Sequence, residues 1–474
     1  MKNVHLMGIG GTGMVALAGL FVQKGWGVRG SDKDVYPPAS DELARLKVEV
    51  RSGFRPENLE PRPDLVVVGN VISRDNVEAQ ALLQNGIPYV SMAAALRDYF
   101  LAGRRSIVVA GTHGKSTSTA LLAWMLEHAG KSPGFFVGGF PLNFGSGCRL
   151  GEGKPFVIEG DEYDTAFFEK TPKFLHYRPE DVIITSIEFD HADIYRDLAH
   201  VIEQFEKLLS ILPPDASIVA CGDDPTVREV VKKARKGRVV LYGLAEGNEM
   251  RGVALKPTRR GMAFGLEKNG RKTTSVDSPL LGAHNVRNAL GCLAMAEIQG
   301  VPLKDAAAGL SAFRGLRRRQ EFLGEFGGVR IYDDFAHHPT AIANTLAGFE
   351  PVAKNCGGRL WAVFEPRSNT SRRRVFQKSL PESFRLADEV ILAPVYKKPD
   401  ALQDSELLEP AEVAAAIARS GRKARAASTY EEIVQAVASE AKKGDVVVFM
   451  SNGAFGGVPR KTGEALAHQA RVKV

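Results

Sequence analysis

A short apolar run, a glycine-rich turn and a helical pattern follow one another at the start of this chain, in VHLMGIGGTGM, and again about a hundred residues later, in RRSIVVAGTHGKSTSTALLAWMLEHAG. A run of about four to eight apolar residues without alternation reads as a strand buried on both faces. Strands of that kind alternate with helices in a mostly parallel sheet covered on both sides. In the first hundred residues WGVRGSD, DLVVVGN and IPYV continue the strands, with helices expected over 14–24 and 78–85. After the second glycine turn come PFVIEG, DVIITSIEFD, SIVACGDD and VVLYG. A more polar stretch over 253–274 reads as antiparallel, and a helix is expected over 285–299.

The basic, glycine-containing FRGLRRRQ reads as a linker. A third unit is expected from near Arg330, built on VRIYDDFAHHPT, RLWAVFEP, DEVILAP, a helix from Pro410, and DVVVFMSNGAFGG. The length agrees, since 474 residues at about 150 per domain make three. The 44% apolar and 25% charged content excludes wholesale disorder and rod-like folds. Lys and Arg exceed Asp and Glu by 62 to 55, an excess that suits anionic partners. No long basic block accompanies it, so neither nucleic acid nor a membrane surface is expected. Four cysteines stand far apart with no CxxC pair, which fits a reducing compartment and no zinc site. With no signal-peptide pattern and no apolar stretch of bilayer length, the expected location is the cytoplasm.

Gly8, Gly10 and Gly13 form a GxGxxG turn between a strand and a helix, and Asp32 closes the next strand. Glycines let backbone amides approach a diphosphate at the positive end of a helix. An acid at that distance can bond a ribose, as in a nicotinamide site. A nucleotide-sugar diphosphate suits the same amides, and the motif alone leaves the two open. The second turn, Gly111-Thr112-His113-Gly114-Lys115-Ser116-Thr117, is the stronger signal. Its amides can cradle phosphates, Lys115 can neutralise them, and Ser116 can ligate Mg²⁺. The strict spacing would need glycine at position 109, where valine stands, so the loop is a shortened variant. Glu159, Asp161, Glu162 and Asp164 crowd into EGDEYD, where like charges call for a cation or a basic partner. Asp190-His191 offers a further ligand pair.

GTHGKST, VIEGDEYD, IEFDHADIY, GAHNVRN, RRRQEFLGEF and DDFAHHPT stand in the order found in Mur ligases, the ATP-dependent amide-bond-forming enzymes of peptidoglycan metabolism. With MGIGGTGM the resemblance covers all three units. It implies an α/β fold of three domains: a Rossmann-like UDP-sugar domain over 1–102, a P-loop ATPase-like centre over 103–315, and a Rossmann-like peptide domain over 316–474. EGDEYDTAFFEK, KFLHYRP, EPRSNT and MSNGAFGG resemble the branch that joins recycled L-alanyl-γ-D-glutamyl-meso-diaminopimelate to UDP-N-acetylmuramate through an acyl phosphate. The alternative is the branch that adds L-alanine to the same sugar in de novo synthesis.

The resemblance further implies that Gly8, Gly10, Gly11, Thr12, Gly13, Ser31 and Asp32 hold the UDP-sugar. ATP would meet Gly111 to Thr117, with Asn285 and Asn288 on the adenine side, Arg319 at the phosphates and Asp334 at the ribose. Asn285 could equally cap the helix that begins there. Ser116, Glu159 and His191 would hold Mg²⁺, and Lys115, Glu159 and His191 would be catalytic. Arg317 and Arg318 are read as a solvated basic face, and His337 and His338 as bordering the site. Most relatives carry a carbamylated lysine where Phe205 falls here, with Lys207 two residues off, so no carbamylation is expected. A second departure is SRRR after EPRSNT, where a less basic run is expected. A monomer or weak homodimer is implied.

Overall fold

The computed structural model describes residues 1–192, 194–258, 261–397 and 406–472. The IEFDHADIY motif is therefore described except at residue 193, and the antiparallel stretch except at 259–260. The strands fall into three large sheets, held by successive parts of the chain.

The first sheet is wholly parallel, in the order Glu49–Ser52, Gly27–Asp32, Asn3–Met7, Leu65–Val68, Tyr89–Ser91. The chain leaves the central strand Asn3–Met7 through the first glycine turn and enters helix Thr12–Gln23. That turn stands at the carboxyl edge, where strand order reverses and open parallel sheets bind ligands. Strand Glu49–Ser52 was not expected. Its residues EVRS are mostly exposed on an edge, so no apolar run betrays it.

The ten-stranded middle sheet has a parallel centre: Arg238–Gly243, Ser217–Cys221, Asp181–Ile184, Arg105–Ala110, Pro155–Gly160 and Gly134–Phe136. The expected antiparallel region adds Met250–Thr258, Gly261–Lys268 and Arg271–Ser278 at one end. Alternate residues of the central strands feed two cores. Val108, Ile158, Val182 and Ile218 face one that continues into the first unit through Phe136 and Met92. Ile107, Val109, Val157, Ile183 and Val219 face the other, beneath helices Lys115–His128 and Ala283–Ile298. The first two units thus share an apolar core.

The third sheet runs Glu321–Phe326, Val329–Asp334, Val446–Met450, Leu360–Phe364, Glu389–Leu392, Lys423–Ala426. It begins earlier than expected, because EFLGEF pairs antiparallel with Val329–Asp334. Pairing makes it a strand although all six residues remain at least partly solvated.

Candidate active site

Both glycine turns open onto one cleft of about 690 Å³, large enough for a nucleotide-sized ligand. Gly8, Gly10, Gly11, Thr12 and Gly13 form one wall, and Lys115, Ser116, Glu159, His191 and Arg319 form the other. Helix Thr12–Gln23 starts at Gly11 and helix Lys115–His128 at Gly114, and neither start carries a side-chain cap. The amides of both first turns are therefore presented to an anion. A second cleft lies on the far side of the Lys115 loop. It is lined by His113, Gly114, Thr117, Asn285, Asn288, Asp334 and Phe335, and Arg319 borders both clefts.

Lys115 is the electrostatic centre. Its Nζ donates to Gly111 O and to Glu162 Oε2, each at 2.7 Å. Burial alone would depress this ammonium, but the carboxylates of Glu162, Asp161 and Glu159 outweigh it and raise its pKa. Glu162 is held low against the same burial by Lys115 and His191. His191 is pushed up to about 9, since Glu162, Asp190 and Asp161 overcome its desolvation. Its backbone is left-handed at φ +55°, a conformation that a non-glycine residue keeps only where its surroundings hold it.

Ser116 Oγ donates to Glu159 Oε1 at 2.7 Å, and Gly138 N donates to Glu159 Oε2 at 2.7 Å. Asp161, Glu162 and His191 bring one ligand atom each within 4.8 Å of one another. Glu162 Oε1 is buried without a hydrogen-bond donor and faces His191 Nε2 at 3.4 Å. An oxygen-rich set with one imidazole and an unsatisfied buried carboxylate oxygen fits a divalent cation of the Mg²⁺ or Mn²⁺ type. Such a cation must displace the proton on His191.

Family models match in chain order: the Mur ligase family catalytic domain over 3–104, the Mur ligase middle domain over 109–296, and the Mur ligase glutamate ligase domain over 318–453. The UDP-N-acetylmuramate–L-alanyl-γ-D-glutamyl-meso-2,6-diaminoheptandioate ligase of Escherichia coli is 40% identical over 99% of both chains. The chain belongs to the Mur ligase family. A murein peptide ligase from Psychrobacter arcticus, solved as a crystal structure, superposes with a TM-score of 0.74 at 34% identity, covering 98% of this chain and 99% of that one. The UDP-N-acetylmuramate–L-alanine ligase of Salinispora arenicola is 35% identical over 94% of this chain and 85% of its own.

In this Mur ligase several residues sit otherwise than the sequence suggested. Ser31 has its hydroxyl turned into the core, donating to Glu78 Oε1 at 2.7 Å beside buried His5. Only its backbone serves the turn, its carbonyl accepting from Gly8 N and Ile9 N. Asp32 lines the cleft, but its carboxylate accepts from Gly10 N at 2.8 Å and Lys33 N at 2.7 Å. It shapes the turn while facing the cleft. Asn285 caps nothing. The helix starts at Ala283 behind Gly282, and the Asn285 amide donates to Leu281 O and Gln320 Oε1. Asn288 donates to Asn285 Oδ1 at 3.1 Å.

Arg319 reaches Ser116 Oγ at 3.3 Å and lies 4.5 Å over the Phe335 ring. Asp334 accepts from Gln320 N and Ala336 N, which fixes the linker against the third sheet. Arg317 is exposed as expected. Arg318 is not: it pairs with Asp333 at 3.3 Å and donates to Ser451 O and Gly453 O. Phe205 is buried against Phe174, and Lys207 is exposed with its amine on Gln204. Glu162, read only as a member of an acidic turn, is the partner of Lys115 and His191 that the sequence did not single out. Its spacing from Glu159 at the strand end was the available signal.

Proposed function

We propose that this Mur ligase joins L-alanyl-γ-D-glutamyl-meso-diaminopimelate to the lactyl carboxylate of UDP-N-acetylmuramate, converting ATP to ADP and phosphate. The observation that carries the reading is one cleft walled by both glycine turns. It allows a sugar acid on the first turn to meet a terminal phosphate on the second. The end-to-end likeness to the Escherichia coli tripeptide ligase supports the choice of amine.

A carboxylate is a poor acyl donor because oxide is a poor leaving group. Attack of the lactyl oxygen on the γ-phosphorus breaks its bond to the bridging oxygen, giving an acyl phosphate and ADP. The peptide amine then adds to the acyl carbon, and phosphate leaves from the tetrahedral adduct. Phosphoryl transfer rests on alignment and charge neutralisation. Lys115 would move from Glu162 to the transferring phosphate, with the Gly114–Thr117 amides and Arg319 around it. Ser116 and Glu159 would hold one Mg²⁺, and His191 with Asp161 and Glu162 a second; together they would supply positive charge to the phosphate oxygens. Asn285 and Asn288 would line the adenine side, and Asp334 would border the ribose. No described helix is long and apolar enough to cross a membrane. ATP and a UDP-activated sugar are cytoplasmic substrates, and we place the reaction there.

The test supplies UDP-N-acetylmuramate and ATP with either the tripeptide or free L-alanine and follows phosphate release. The expected outcome is tripeptide-dependent release with little from L-alanine. The reverse preference would support L-alanine addition, the reading favoured by the 35% likeness to the Salinispora enzyme. Lactyl ¹⁸O should appear in the released phosphate, and its absence would remove the acyl phosphate.

A further inference from the structure

Outside the Lys115 centre, four side chains meet where the middle unit touches the third: His113, Glu188, His338 and Thr340. Thr340 Oγ1 donates to Glu188 Oε2 at 2.7 Å, across the two units. His113 Nε2 lies 3.4 Å from that same oxygen, and His338 Nδ1 lies 3.7 Å from it. The backbone of Glu188 is tied to the phosphate loop as well. Its amide donates to Thr112 Oγ1 at 2.8 Å, and its carbonyl accepts from that hydroxyl at 3.2 Å. His338 caps helix Pro339–Cys356, accepting from Thr340 N at 3.3 Å. A carboxylate is thus set at the positive end of a helix belonging to the other unit. Burial opposes its charge, but His113, Thr340 and His338 hold the Glu188 carboxyl down to about 2, so it is ionised.

Two histidines and a glutamate also resemble a metal-ligand set. The Thr340 hydroxyl and amide, however, already occupy Glu188 Oε2 and His338 Nδ1, which points to a hydrogen-bonded clamp. We propose that Glu188 is a positioning residue that pins the phosphate loop to the first turn of the third unit's helix, so that docking of the third unit sets the loop for nucleotide. The inference rests on the ligase reading above.

The experiment compares Glu188→Ala, Thr340→Val, the double variant and Thr340→Ser in the full chain. Deuterium uptake over 186–190 and 338–345, with no substrate present, should be several-fold faster in the first three and unchanged in Thr340→Ser. In ligation, kcat/KM for ATP should fall about tenfold in each single variant, and the double should be no worse than the weaker single. KM for the UDP-sugar, held on the first unit, should stay as in the wild type. Unchanged uptake, multiplying losses, or an equal rise in the UDP-sugar KM would each overturn the clamp. A wild-type chain that forms no amide would remove the ligase reading alone, since the exchange measurement decides the clamp without turnover.

Discussion

The two glycine turns look alike on paper and differ in the charges around them. Each follows a buried strand and opens an uncapped helix. Around the first, Asp32 is occupied with the turn's own amide. Around the second, Lys115, Glu159, Glu162, His191 and Arg319 converge from four parts of the chain. Backbone amides alone suffice to hold a diphosphate that does not react. A phosphate that is transferred needs charge that can be redistributed as the bond breaks. On the ligase reading proposed above, the contrast separates a holding site from a reacting one more sharply than either motif does.

The hardest blow to the comparison is Lys115→Ala. Removing a charge contact to a transferring group costs about 10²–10³ in rate, so kcat should fall by that much while UDP-sugar binding, measured by calorimetry, persists. Near-normal turnover would make the two turns equivalent. A smaller effect separates the turns by backbone. Gly114 has φ +82°, and a Cβ there would lie 2.4 Å from Asn288 Oδ1. Gly11 has φ −68°, and a Cβ there would meet only Gly8 O, at 3.7 Å. Alanine in the left-handed region costs roughly 1–2 kcal/mol. Gly114→Ala should therefore lower the melting midpoint and raise KM for ATP. Gly11→Ala should melt like the wild type and raise only the UDP-sugar KM. Equal melting losses would contradict the geometry.

Much of this organisation was legible because buried parallel strands are written as unbroken apolar runs. LVVV, SIVVA and VVVFM needed no partner to be recognised. Edge strands such as EVRS and EFLGEF acquire their conformation from a neighbour and leave no such trace. The two glycine turns were legible because a turn that opens a helix is written locally in the backbone. Glu162 and Arg318 were not, since their roles are set by contacts far along the chain. Lys115 lies 47 residues from Glu162, and Ser451 lies 133 from Arg318. Ser31 shows the converse: the family resemblance assigns it to the UDP-sugar, yet a buried His5–Glu78 pair claims its hydroxyl.

The smallest expected effect sharpens the contrast through pH. The first unit contributes no histidine to its cleft wall, whereas His113, His284 and His338 crowd the second turn. Burial, aided by His113, outweighs Asp190 and Glu188 and pushes His338 down to about 4, well below the ordinary 6.5. Its neutral form is favoured in the folded chain, so the unfolded chain binds the extra proton between those values. The resulting stability is complete above pH 6.5 and is lost as pH falls toward 4. Between pH 6.5 and 5.5 the loss is about 1 kcal/mol. His338→Asn keeps a capping side chain on helix Pro339–Cys356 but removes the titration. The melting midpoint of the wild type should therefore drop further than that of His338→Asn over this interval. Parallel drops would mean that the imidazole beside the second turn titrates alike in both states, and the electrostatic distinction between the turns would then rest on Lys115 and its carboxylates alone.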